Sequence, residues 1–327
     1  MFSRSAEAPA AIVQALSLDQ PSVALPVLEH SPLLIDADLV DIIATGNSEM
    51  QCAIARRINL PAAVCAAIAE VGTPAAALEL IENPYDELAP FSWDRIVVRH
   101  GHLAAIRESM LVLEDLPAAT RLALVAKLAD TLAQFVVARN WLSADRAGRI
   151  ASETRERCTV NVAARSRGED MRSLVRHLRL TGQLTAGLIL RALLSGNFEL
   201  FDDALVELSG LPQARVAALV YDRGASLQAL LTRAGLPEST FPAFRAALEA
   251  SDEIGFVATA ADAARLRRRM VERVLTRCET DAEAAEPLLI LLRRFATESA
   301  REEARLFCEE LIAEEAVAPM QHDLIAA

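Results

Sequence analysis

The chain has 327 residues, 53% apolar and 24% charged, enough to bury one extended core or two smaller ones. Aromatic residues make up only 4% while alanine and leucine dominate, which favours closely packed helices over a sheet of β-branched and aromatic residues. A formal charge of −12 argues against general attraction to nucleic acid or to anionic membrane surfaces.

From the N-terminus, Met1 to Gln20 carries Arg4 and Glu7 and lacks a sustained apolar core. The longest apolar runs, such as Leu288 to Leu292, fall far short of the roughly 18 residues that spanning requires, so no export or membrane segment is expected. The periodicity then predicts five short helices: Pro21 to His30, Asp36 to Thr45, Ser48 to Ile58, Pro61 to Val71 and Pro74 to Ile81. Asp36 and Ser48 are the expected N-caps, and Thr73 precedes Pro74 as a cap and first helical residue should. Further helices are expected from about Trp93 to Leu113 and from Pro117 to about Trp141, the latter carrying Leu122, Val125, Leu128, Leu132, Phe135 and Val136 on one stripe. The two tryptophans, Trp93 and Trp141, are expected to seal cores at helix ends.

Between about Ser143 and Arg179 arginines outnumber acids and apolar residues thin out, which marks a connecting segment. A second array is expected from Leu184 to about Leu248, followed by helices over Asp262 to Glu279 and Pro287 to Glu315 and a frayed end after Ala316. The domain reading is an N-terminal array over 1–142, an Arg-rich helical connection over 143–180 and a C-terminal array over 181–327. Four Leu-Pro pairs, at Leu60, Leu116, Leu211 and Leu236, mark helix starts. Gly72, Gly101, Gly196, Gly210, Gly224 and Gly235 fall where helices would need a left-handed terminus.

One pattern occurs twice. Gly46-Asn47, Leu60-Pro61 and Gly72 are answered by Gly196-Asn197, Leu211-Pro212 and Gly224. Self-similarity on that scale marks stacked helical units, in which neighbouring pairs bury each other's apolar faces. The expected class is therefore all-α, an α-solenoid of short helices in two arrays.

The stretch Val23-Ala24-Leu25-Pro26-Val27-Leu28-Glu29-His30-Ser31-Pro32-Leu33-Leu34, with Asp38-Leu39 and Ala53-Ile54-Ala55-Arg56-Arg57, resembles the bacterial family of unknown function called DUF2336. Leu190 to Asn197, Phe201, Leu205, Leu208 to Pro212, Val216 and Arg233 to Pro237 resemble the second half of that family, so the likeness runs from about Pro21 to Leu248. The first block is also similar to HEAT-like and leucine-rich-variant repeats, which implies a right-handed stack of short helices. The family carries no established reaction or cofactor, so the resemblance implies no catalytic residue.

Candidate chemistry is sparse. His100 and His102 form an H-x-H pair whose spacing alone is a weak metal signal, and a helix junction at Gly101 is the expected reading. No catalytic elbow, P-loop or dinucleotide fingerprint occurs, and Lys127 is the single lysine among 33 cationic residues. Cys52, Cys65, Cys158, Cys278 and Cys308 are odd in number and widely spaced, as expected of reduced thiols in the cytoplasm.

Arg265, Arg267, Arg268, Arg269, Arg273 and Arg277 crowd one helix above a stripe of Met270, Val271, Val274 and Leu275. Arg56 and Arg57, with Glu49, Glu70 and Glu79, fit a ladder of charges lining a solenoid's inner surface, but packing between successive units is their expected role. The expected function is a non-enzymatic cytoplasmic adaptor or regulatory protein, without cofactor or metal, that docks a protein partner on its concave surface. Arg56, Arg57, Arg267, Arg268 and Arg269 are the candidate contacts. The alternatives are a small-ligand sensor or enzyme with a site between the arrays, using Arg99, Arg165 and Arg167, or nucleic-acid binding through the Arg-rich helices.

Overall fold

Leucine and alanine in helical period, punctuated by proline and glycine, form eighteen α-helices with no strand among the described residues. A computed structural model describes residues 2–84, 88–252, 260–280 and 286–325. Two compact units result, Met1–Cys158 and Thr159–Ala327. No helix among the described residues is long and apolar enough to cross a membrane.

The first unit contains α1 (Ala10–Ser17), α2 (Pro21–His30), α3 (Asp36–Thr45), α4 (Ser48–Ala55), α5 (Ala62–Val71), α6 (Pro74–Glu82), α7 (Pro90–His100), α8 (Ala104–Val112), α9 (Ala118–Ala138) and most of α10 (Ala144–Ala163). The helix ends follow capping chemistry, with several departures from the sequence expectation. Asp36 is not the cap of α3 but its first helical residue, and the carboxylate of Asp38 reaches back to accept from the Ile35 N–H at 3.3 Å. Asn47 takes the cap of α4, its Oδ1 accepting from the Met50 N–H at 3.0 Å, which moves Ser48 into the first turn. Thr73 caps α6 as expected, Oγ1 accepting from the Ala76 N–H at 3.4 Å.

The helical stretch expected over Trp93 to Leu113 is two helices, α7 and α8, with the expected junction at Gly101. Gly101 has φ −61° and Gly72 φ −60°, so neither supplies a left-handed terminus, and Gly224 at φ −98° does not either. The reason for glycine at 101 is steric, because a Cβ there would lie 2.5 Å from the Val97 carbonyl oxygen. Gly210, by contrast, ends its helix at φ +68°, in the left-handed region. Trp141 is 66% exposed and seals no core. It closes α9 after the left-handed Asn140, its N–H donating to the Val136 carbonyl at 3.0 Å and its ring meeting Phe135 edge-on at 5.7 Å.

Within this unit α2, α4, α6 and α8 pack one on the next, and so do α3, α5, α7 and α9. Flanked by α2 and α6, α4 is buried at every position from Gln51 to Ala55, and its small and apolar residues permit that close approach. The fully buried Leu28, Ile43, Ile54, Ile68, Leu80 and Ile96 run through both rows as one core. Each such side chain contributes about 1.5–3 kcal/mol by leaving water.

The second unit comprises α11 (Gly168–Leu180), α12 (Ala186–Leu194), α13 (Phe198–Ser209), α14 (Gln213–Tyr221), α15 (Ala225–Arg233), α16 (Phe241–Asp252), α17 (Ala260–Thr280) and α18 (Glu286–Ile325). Its packing centres on α13, which contacts α11, α12, α14 and α15, while α12 rests on α16 and α17 lies along α18. The backbone of α18 stays helical to Ile325, beyond the fraying expected after Ala316. Asn197 repeats the role of Asn47, its Oδ1 accepting from the Leu200 N–H at 3.1 Å to cap α13.

Candidate functional site

Every α-helix leaves its last carbonyls without intrahelical donors. In the first unit, three of these ends are served by a polar side chain from the helix two places later. Arg57, just after α4, donates Nη1–H to Leu28 O at 2.5 Å and Nη2–H to Ser31 O at 2.6 Å, closing the end of α2. Asn83, just after α6, donates to Ala55 O at 2.9 Å and Arg57 O at 2.7 Å, closing α4. Arg99, on α7, donates to Ala69 O and Gly72 O, both at 2.9 Å, closing α5. The buried amide of Gln51 adds a further tie, donating to Ile43 O and accepting from the Thr73 N–H, each at 2.8 Å.

Ion pairs follow the same rows on the exposed side. Arg56, capping the end of α4, forks onto Glu79 of α6, with Nε–H donating at 2.9 Å. Arg95 of α7 donates to Glu70 of α5 at 2.6 Å. Glu70 and Glu79 thus stand in pairs that link successive helices of each row, whereas Arg57 turns to the backbone of α2.

Arg56 and Arg57 are neighbours in sequence with different duties. Burial lowers the pKa of Arg57, while hydrogen bonding to Glu79 raises that of Arg56. Arg57→Met is expected to destabilise the first unit by about 2–3 kcal/mol, since charged hydrogen bonds are lost and carbonyls are left unserved. Arg56→Met is expected to cost less than about 1 kcal/mol, as half-exposed pairs do. Urea unfolding followed by the fluorescence of Trp93 and Trp141, both in this unit, distinguishes the two; equal losses would contradict the assignment.

The candidate arginines of α17 belong to the second unit. Arg268 is gripped by Glu272 of its own helix and Glu303 of α18, each at 2.8 Å, which together hold its pKa above the ordinary value. Arg267 is half-buried and Arg269 is exposed. Arg265 and Arg277 also face carboxylates, those of Glu310 and Glu249. Much of this basic helix is therefore neutralised within the unit.

The histidine pair does not converge. His100 is buried, with Nε2 3.2 Å from Gly72 O and its pKa lowered chiefly by burial, while His102 faces solvent. Among the described residues no group of three His, Cys, Asp or Glu is placed to hold a metal ion. Arg99, proposed from the sequence for a ligand, is committed to α5. Arg167 donates to Ala164 O and Ser166 O and approaches Glu199 at 3.5 Å, and Arg165 is exposed.

Two features escaped the sequence reading. Burial on α13, with Asp203 beside it, pushes the carboxyl of Asp202 up to about 6. In the second unit a cleft of about 570 Å³ opens beside α15 and α16, with Arg223 and Arg245 in its walls. The Asp202-Asp203 doublet is a visible sequence signal, but its burial is not; nothing local marks Arg245.

A family model described as an uncharacterised protein conserved in bacteria, DUF2336, matches residues 23–284. No curated protein and no solved structure gives a match.

Proposed function

We propose, from the premise that this chain belongs to the DUF2336 family, that it is a cytoplasmic, non-enzymatic adaptor or regulatory protein that docks a protein partner. In this reading the stacked helices are a HEAT-like solenoid in two arrays whose concave surface receives the partner. The observation that carries it is the pair of helix rows in the first unit, tied by Arg57, Asn83 and Arg99 from each helix to the next but one. Ties of this kind hold a broad surface in a fixed shape, which suits recognition of another macromolecule better than chemistry at a point. The five cysteines form no disulfide among the described residues and three of them are buried, which accords with a reducing compartment. The engagement of Arg268 by two glutamates weighs against a nucleic-acid role for α17.

Affinity purification from native lysate with mass spectrometry tests this reading, using the full chain, Arg56→Glu and Arg269→Glu. Both substitutions lie at exposed positions, whereas Arg57 would confound docking with folding. A reproducible partner lost with one variant is expected. Retention of no protein, with a small molecule co-purifying instead, would overturn it.

A further inference from the structure

We propose that the cleft beside α15 and α16 binds a small organic anion, an oxyanion headgroup on a short apolar body. Its volume, about 570 Å³, lies within the range of small-molecule sites. Ala225 and Pro242 give the lining accessible apolar surface for a hydrocarbon chain, over a floor of the buried Leu231 and Phe241. Arg223 and Arg245 supply the cationic part of the lining.

Arg223 is anchored at the cleft by Nη1–H donation to Val220 O at 3.2 Å. Arg245 is exposed and makes no ion pair with a described residue, unlike Arg268 on the neighbouring hairpin. Among the described residues Glu238 is the one carboxylate of the lining. Asp222, next to Arg223 in the chain, turns its carboxylate to the Gly224 N–H at 3.3 Å and stays out of the lining. Two guanidinium groups against one carboxylate leave a single net positive charge, matched by one anionic headgroup and opposed to a second. Guanidinium forks pair in a bidentate manner with either a carboxylate or a phosphate, so both sources share this chemistry.

Isothermal titration calorimetry on the full chain, with octanoate, octyl phosphate and octanol as probes, tests the site. At least one of the two anions is expected to bind with unit stoichiometry, the tighter one naming the headgroup, and octanol about tenfold or more weaker. Arg245→Gln is expected to weaken the anion about tenfold or more, while Arg146→Gln, at an exposed arginine of α10, leaves it unchanged. The proposal fails if neither anion binds at about 1 mM, if octanol binds as well as the anions, or if Arg245→Gln leaves the affinity intact.

Discussion

Arg191→Met is expected to destabilise the second unit by about 3 kcal/mol, the lower end of the cost of orphaning one member of a buried ion pair. Arg191 on α12 and Glu298 on α18 meet as a fork, Nη1 to Oε2 at 2.5 Å and Nη2 to Oε1 at 3.3 Å. Their side chains are 9% and 18% exposed, so water can replace the lost partner only in part. The guanidinium also lies 4.2 Å from the centre of the Phe295 ring, a cationic contact that methionine would not restore. The double variant Arg191→Met with Glu298→Leu removes both charges and is expected to recover most of the loss, because the cost lies in a largely buried carboxylate left with only the long 3.9 Å contact to Arg294. Chemical unfolding followed by circular dichroism measures both. A single variant within about 0.5 kcal/mol of the parent would show that Glu298 is well hydrated where it stands.

The other large effect lies in the apolar core of the same unit. Phe201 of α13 and Phe244 of α16 are both fully buried, with ring centres 6.1 Å apart and planes tilted by 35°. Phe201→Ala is expected to cost about 3–5 kcal/mol, combining lost transfer energy with the cavity left among rigidly packed helices. Phe201→Leu is expected to cost less than about 2 kcal/mol, since most of the volume remains. Thermal and urea unfolding of the two variants compares them. Equal behaviour would mean that α13 and α16 can close over the gap, contrary to a core held by fixed rings.

The helical class and several helix bounds were legible before any coordinates. Pro21–His30 and Asp36–Thr45 match the sequence reading at both ends, because proline or aspartate opens each and a serine or glycine follows. The junction at Gly101 was legible from the glycine itself, although apolar residues continue in helical period across it, at Ile96, Val97, Leu103 and Ile106. The glycine there answers a local steric demand that periodicity does not register. Caps within three residues, such as Thr73, are readable from spacing; the duty of Arg57 is not. Its acceptors lie 26 and 29 residues back, and only the stacking of α4 on α2 brings them near. The cleft was illegible for the same reason, since Arg223 lies in the turn before α15 and Arg245 on α16, and only tertiary packing brings them to one cleft.

The ties that close α2, α4 and α5 all reach forward, from a carbonyl to a donor 26 to 30 residues later. A chain leaving the ribosome therefore cannot complete the end of one helix until about one further helix pair has emerged. At about 5–20 residues per second that delay is on the order of a few seconds. Folding of the first unit should then advance like a ratchet behind synthesis, each newly made arginine or asparagine locking the helix end made about one helix pair earlier.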